Sequence, residues 1–423
     1  MPERPIVMCL GAGTHQLELI AAILARGFDC LAVDRNPAAV GFSEAVTPLH
    51  SDLTDVRGIL RRLAPAIRQR LIGVTSRSFG AVRQAQQELT TRLELPGMTA
   101  APDQAPNWAL LTDKRAYKQF FGDLGIPVPR QFNWSDPPAR QQLLDWPSPL
   151  LARPVAGHAK QDMHILNDKD QRRRFLEAHQ AHAKDWLVEE LLAARRELTV
   201  LAWVVQGEVI LISISAKITS ASPPRFIELG HDFPLPVSLA VARHIESLLQ
   251  RMAQAAGLDN TPLVAEFLYD DPPAEDSLWL VEWAAESGGE LLVDQLLAAL
   301  DPGYHYFDRL LDLHLLPAWR RYRPSDFRRT PWTDSQRAAC VRYVAPQAGL
   351  YQGIQWPPEL LADRRLLYRT EFHAVGQQLD FKDGNRARPA AFVVADERSR
   401  ARELFHWADR MQAASRLILL DPH

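Results

Sequence analysis

The sequence predicts a multidomain protein that joins an α/β unit to α+β units. Three observations predict it. Strand and helix patterns alternate through the first hundred residues, antiparallel hairpin patterns replace them afterwards, and 423 residues exceed what one hydrophobic core organises. The composition is that of a globular chain, with 47% hydrophobic residues, 23% charged residues and a formal net charge of -3. It excludes collagen-like, disordered and disulfide-scaffold classes. The near-even balance of 48 basic and 51 acidic side chains gives no footing for a nucleic-acid partner. No run approaches the roughly 20 apolar residues of a membrane span. The start, MPERPIVMCLGAG, lacks the apolar stretch of a signal peptide, so a cytoplasmic protein without a membrane partner is expected.

The first element is a buried strand over 6–10, followed by a Gly11-Ala12-Gly13 turn and a helix through Leu17, Ile20, Ala21 and Leu24 that ends at Gly27. A second strand over 30–33 ends at Asp34; a strand over 71–74 and a helix over 81–89 continue the β-α-β rhythm of a doubly wound parallel sheet. Pro96, Pro102 and Pro106 then mark a domain boundary. A helix over 113–122 opens the next unit and stops at Gly125-Ile126-Pro127-Val128-Pro129. Strands are expected over 150–153, 186–190 and 198–205, with a hairpin turn at Gln206-Gly207 and its return over 209–215. A long helix over 239–256 closes at Gly257, and strands over 264–269 and 278–283 flank an acidic loop. Strands over 340–344 and 391–394 and a helix over 397–412 complete the chain.

Gly11, Gly13 and Asp34 stand where a dinucleotide fold needs them, but Gln16 replaces the third glycine. A Rossmann-like unit that makes no use of NAD is the stronger expectation. Cys9, Cys30 and Cys340 have neither zinc nor disulfide spacing and read as buried small hydrophobes. His179 and His182 have the spacing of a helical metal pair but lack a carboxylate partner, so a solvated helix face is expected.

The middle of the chain carries an ordered series. Asp113-Lys114-Arg115 leads to Gly125-Ile126-Pro127-Val128-Pro129, then to Leu151-Ala152-Arg153-Pro154 and Val188-Glu189-Glu190-Leu191-Leu192. Glu197 follows, then Glu228-Leu229-Gly230-His231 with Pro234, Ala265-Glu266-Phe267, and Val281-Glu282-Trp283-Ala284-Ala285-Glu286-Ser287-Gly288-Gly289. This series resembles the ATP-grasp superfamily of carboxylate-amine ligases, and within it the L-amino acid ligases that make dipeptides. The resemblance covers nearly the whole chain. It implies a Rossmann-like pre-ATP-grasp domain over 1–105, an ATP-grasp small subdomain over 106–185, a central metal-binding subdomain over 186–325 and a C-terminal β-rich subdomain over 326–423.

The resemblance also implies a chemistry. ATP activates a carboxylate as an acyl phosphate, and an amine displaces phosphate to form an amide. Cations and Mg²⁺, or Mn²⁺ in its place, must surround the transferred phosphoryl group. Glu266 and Glu282 match the family's metal-ligand positions, and adjacent antiparallel strands would aim both carboxylates at the metal. Lys114 matches a phosphate-binding lysine. The chain has only seven lysines among its 48 basic residues, which makes a lysine at a motif position less accidental. Arg153 stands where the family usually has its second phosphate-binding lysine, a planar fork in place of a point charge. Glu189, Glu190 and Leu192 match the adenine hinge, with Glu189 and Leu192 acting through backbone groups, and Glu197 matches the ribose contact. Lys217, His231, Ser287 and Gly288 match the substrate pocket. Relatives of this kind are often dimers, so the resemblance allows a homodimer.

The pattern breaks in three places, the mildest being Ala284, which replaces the asparagine that often completes the metal shell. The family's glycine- and serine-rich phosphate loop is reduced to Gly157-His158-Ala159-Lys160-Gln161-Asp162, in which Lys160 would supply charge that the backbone cradle no longer does. Glu286 replaces an arginine. A carboxylate there repels an acyl phosphate unless it is protonated or paired. It either recognises an amine substrate or marks an impaired site that binds nucleotide or metabolite without turnover.

Overall fold

The computed structural model describes residues 3–95, 106–155, 161–192, 195–220, 226–289, 291–315, 323–327 and 335–420. Strands β1 (Ile6–Leu10), β2 (Asp29–Asp34), β3 (Val46–His50) and β4 (Leu71–Ser76) form a parallel sheet in the order β3-β2-β1-β4. Every residue of β1 is buried, as expected where helices cover both faces. The helix Leu17–Ala25 buries Leu19, Ile20 and Ile23, one stripe at helical spacing. β3 breaks the apolar pattern with Pro48 and exposed Thr47 and His50. It lies at the sheet edge, where a proline is tolerated.

The glycine turn after β1 is closed by its own side chains. A Cβ on Gly11, at φ 102°, would meet Gln16 Cδ at 2.9 Å. The Gly13 N–H donates to Gln16 Oε1 (3.1 Å) and the Ala12 N–H to Asp34 Oδ2 (3.0 Å). The donors and the acid that a dinucleotide would use are therefore already engaged within the chain.

Strands β5 (Gln131–Phe132), β6 (Leu150–Pro154), β7 (His164–Leu166) and β8 (Trp186–Glu190) form a second sheet, β5-β8-β6-β7, with antiparallel pairings. β8 lies between β5 and β6, so Trp186–Glu190, on the far side of the boundary expected at 185/186, pairs within this sheet. Its core joins Phe132, Trp134, Leu143, Phe175 and Val188. His179 is not on a solvated face. The helix Lys169–Ala178 has ended, and the His179 ring stacks on Phe175 at 4.3 Å and meets Trp186 edge-on at 4.6 Å. His182 is exposed.

The third sheet takes β9 (Arg196–Val205), β10 (Glu208–Thr219), β11 (Glu228–Phe233), β12 (Thr261–Tyr269) and β13 (Leu278–Ala284). From the C-terminal part come β14 (Arg337–Tyr343), β15 (Gly349–Gln355), β16 (Leu366–Glu371), β17 (Gln378–Leu379), β18 (Ala390–Glu397) and β19 (Arg416–Leu420). The order β13-β12-β9-β10-β11-β14-β18-β16 is continuous, while β17-β15-β19 forms a separate small sheet. The β11–β14 pairing carries the large sheet across the expected boundary at 325/326. Fully buried Arg342 fastens this join, reaching Asp232 Oδ1 at 2.7 Å and Asp409 Oδ1 at 2.8 Å on the helix Ala401–Ala414. The helix Leu239–Ala255 packs on β10 through Val241, Ile245, Leu248, Leu249 and Met252. Among the described residues no helix is long and apolar enough to cross a membrane. The three cysteines are buried and unpaired.

Candidate active site

Antiparallel partners turn their side chains to the same face of a sheet. The register of the large sheet therefore lays a polar row across neighbouring strands. Glu282 on β13 stands opposite Glu266 on β12, and Glu266 opposite Thr199 on β9. Two residues along, Glu197 of β9 faces Lys217 of β10, which faces His231 of β11. All of this row but Glu197 lines one wall of a cleft of about 730 Å³ that also takes in Lys114, Arg153, Glu228, Glu286, Ser287 and Gly288.

Lys217 is the electrostatic centre of the row. Its ammonium lies 3.0 Å from Glu197 Oε1 and 3.7 Å from Glu228 Oε2, and it donates to Glu266 Oε1. Burial favours the neutral amine, but Glu197, Glu266 and Glu228 together hold its pKa well above the ordinary value. Lys217 thus organises three carboxylates. Glu228 also meets His231 Nε2 at 3.2 Å and Arg388 Nη1 at 3.4 Å. Burial opposes ionisation of Glu228, yet Lys217, His231 and Arg388 keep its carboxyl well below the usual range. His231 Nδ1 lies 3.2 Å from Ser215 Oγ, which fixes the ring against β10.

The other side of the cleft is set by the helix Lys114–Asp123. Asp113 caps it by accepting from the Arg115 N–H (2.8 Å) and the Ala116 N–H (2.9 Å). The helix is pinned to β13: Tyr117 Oη donates to the Val281 carbonyl (3.2 Å), and the Phe121 ring meets Trp283 edge-on at 4.8 Å. Trp283 Nε1 in turn donates to the Leu110 carbonyl at 2.7 Å. These contacts bring Lys114 Nζ to 3.7 Å from Glu282 Oε1.

Beneath Lys114 lies a buried triad. Arg153 Nη2 is 2.9 Å from Glu189 Oε1, and Lys118 Nζ donates to Glu189 Oε2. The Glu189 carboxylate is thus engaged by two cations, a contact that the expectation of a backbone hinge did not include. The middle of β8 carries it under the helix, where it neutralises the arginine that was expected to face phosphates alone. Two cations share this one carboxylate. Burial, and then the Arg153 charge, push the Lys118 ammonium down to about 7 against the pull of Glu189. An unfolded lysine titrates near ~10.4. Between those values the unfolded chain binds more protons, so this group makes stability rise with pH from about 7 upward. The melting temperature of the wild type should gain on that of Lys118→Met across this window. A constant difference would mean that Lys118 keeps its proton.

Glu286 lies two residues beyond β13 and is half-buried. Burial raises its carboxyl to about 7, and the Glu282 and Glu266 carboxylates push it the same way. The charge reversal noted in sequence is therefore softened by partial protonation near neutral pH. Gly288 follows at φ 79°, where a Cβ would lie 2.8 Å from Leu201 Cδ2. Only glycine lets this segment close over β9. Ser287 is buried beside it.

Other expected residues lie apart from the cleft. Glu190 and Leu192 are half-buried at the end of β8, and the Glu190 N–H donates to the Arg130 carbonyl at 2.8 Å. Glu197 reaches the cleft through Lys217. Lys160, with residues 156–160, lies outside the described residues. The cleft residues missed in sequence include His15, Arg77, Asn385 and Arg388. Arg77 follows β4, at the carboxyl end of a parallel strand where open α/β sheets bind ligands, and that rule was a usable signal. Its Nη1 lies 3.0 Å from Asp294 Oδ2. Arg388 stacks over the Tyr343 ring at 3.9 Å, and Asn385 Oδ1 accepts from the Glu228 N–H at 3.0 Å. Nothing in their local pattern marks these two. Among the described residues no three His, Cys, Asp or Glu side chains gather closely enough to hold a metal by themselves.

No family model matches the sequence, and no curated protein matches it. Solved structures do match. L-amino acid ligase from Bacillus licheniformis aligns with a TM-score of 0.78 at 15% identity, over 99% of this chain and 100% of that one. Phosphoribosylglycinamide synthetase from Anaerococcus prevotii aligns at 0.69 and 16% identity, over 99% and 100%. N5-carboxyaminoimidazole ribonucleotide synthetase from Thermus thermophilus aligns at 0.68 and 17% identity, over 96% and 98%. These are ATP-grasp structures, and the chain has their fold, as the motif series led one to expect. At such identities the likeness speaks for architecture, and the site must speak for chemistry.

Proposed function

We propose that this chain, built on the ATP-grasp fold, is an ATP-dependent ligase that activates an amino acid or a related carboxylate and couples it to an amine. The observation that carries the reading is the facing pair Glu266 and Glu282, with Lys114 at 3.7 Å from Glu282, inside a cleft wide enough for nucleotide and substrate. Two hard carboxylates suit Mg²⁺, which keeps waters and phosphate oxygens in the rest of its shell and dispenses with a full protein cage. When bound between Glu266 and Glu282, Mg²⁺ would neutralise charge on the phosphoryl oxygens.

The chain's own residues do the rest. Lys114 sets a cation against the transferred phosphoryl group. Arg153, oriented by Glu189 and by the Val281 carbonyl at 3.1 Å, adds a second positive edge. Arg77, Arg388 and His231 orient the carboxylate to be activated. Gly288 lets the backbone after Ser287 approach it.

Thermal denaturation tests the nucleotide half of the proposal. Mg-ATP at about 100 times its Kd should add roughly 2.7 kcal/mol to folding stability and raise the melting temperature. NAD should leave it unchanged, since the Gly11 turn is closed. No response to Mg-ATP would remove the nucleotide from the account.

A further inference from the structure

We propose that Glu286 receives the amine: its carboxylate pairs with the incoming ammonium and takes the proton that the nitrogen must lose before it attacks. The proposal rests on the ligase reading above and names the residue that handles its second substrate.

The other carboxylates of the cleft are paired with cations. Glu282 has Lys114, Glu266 has Lys217, and Glu228 has Lys217, His231 and Arg388. Glu286 is the exception: among the described residues no cation stands within ion-pair distance of it. The cations whose charge acts on it are Arg83, on the helix Ala81–Arg92, and Lys114. Arg83 is buried and directed elsewhere, donating to Thr261 Oγ1 at 2.7 Å and to Gln86 Oε1. The charged groups that face Glu286 are thus Glu282 of β13, Glu266 of β12, Arg83 and Lys114. A half-buried carboxylate that shares a cleft with Glu282 and Glu266 and has no cation of its own is costly unless a ligand brings the missing positive charge.

An ammonium is that ligand. An amine enters at neutral pH carrying a proton that blocks its lone pair, and a proton acceptor matched to neutral pH is the group it needs. A carboxylate that lines the cleft with no protein cation at ion-pair distance is placed to meet that requirement. The ammonium gives one proton to the Glu286 carboxylate. The freed lone pair forms the C–N bond at the acyl phosphate carbon. The C–O bond to the phosphoryl group breaks, and its electron pair leaves on phosphate. The second surplus proton on nitrogen passes to that phosphate, and Glu286 returns its own proton to water.

The test uses the full chain and its Glu286→Gln and Glu286→Arg variants with two nucleophiles. Hydroxylamine is neutral at neutral pH and needs no base, whereas n-propylamine enters as the ammonium. The acid is whichever standard amino acid supports ADP release with hydroxylamine. In Glu286→Gln the loss with n-propylamine should exceed the loss with hydroxylamine by about 100-fold. Equal losses with both nucleophiles, as a merely structural role gives, would overturn the proposal. A second readout needs no turnover. Propylammonium should raise the melting temperature of the wild type and not that of either variant, and an equal rise in all three would overturn the assignment. If no acid supports ADP release in the wild type, the ligase reading falls by that result, and the propylammonium titration alone decides whether Glu286 holds an amine.

Discussion

Replacing Glu282 with glutamine will lower ATP-dependent turnover by at least ~100-fold, the scale of losing one charge-stabilising group at a phosphoryl-transfer centre. The same change will leave the melting temperature unchanged or raise it. The two halves of this result have one cause. Glu282 and Glu266 are direct cross-strand partners, and like charges placed opposite each other destabilise a sheet by roughly 0.2–1 kcal/mol. Lys114 and Lys217 offset part of that repulsion. A fold that keeps such a pair is holding it for something other than stability. Glu266→Gln should lose activity to a similar extent but gain less stability, because it also removes a partner from buried Lys217. Kinetics and thermal denaturation on the same preparations check both halves. Full activity in Glu282→Gln would remove the carboxylate pair from the mechanism.

Glu189→Gln should destabilise the protein by about 3–5 kcal/mol, the range for removing one partner from a buried ion pair. Lys118, Arg153 and Glu189 are all buried, with side-chain exposures of 0%, 6% and 1%. Without the carboxylate, two cations remain in a site that water does not reach. Lys118→Met should behave in the opposite way. It removes the cation already close to neutral, leaves Arg153 and Glu189 paired, and should be neutral or stabilising. Adding Lys118→Met to Glu189→Gln should restore part of the loss, and the non-additivity measures the coupling. Urea denaturation of the four proteins reads these terms directly. A Glu189→Gln variant as stable as the wild type would show that the triad is solvated and that Arg153 is free to serve phosphates unaided.

These residues also show what the sequence made legible. The helix at Lys114–Asp123 was readable because Asp113 caps it and Gly125 with Pro127 stops it. Glu266 and Glu282 were readable as partners because each sits in an apolar run of strand length, and the register puts them directly opposite each other. β11 was not readable as a strand. Glu228, His231 and Asp232 look like a loop until Lys217, Arg388 and Arg342 arrive from other elements to neutralise them. The role of the Glu189 side chain was hidden for the same reason. Its cations come from Lys118, 71 residues earlier, and from Arg153 on a neighbouring strand. Arg77 and Arg388 enter the cleft from opposite ends of the chain. Local pattern reports propensity and periodicity, whereas charge compensation across a sheet is a tertiary property.

The most direct test of the ligase account is ADP release from Mg-ATP across a matrix of standard amino acids offered as acid and as amine, with Glu282→Gln as the control. The account predicts release that needs two substrates together, amide product in equal amount, and loss of both in the control. ADP release that needs no second substrate, or no release while Mg-ATP still raises the melting temperature, would contradict it and leave a nucleotide-binding protein that does not ligate.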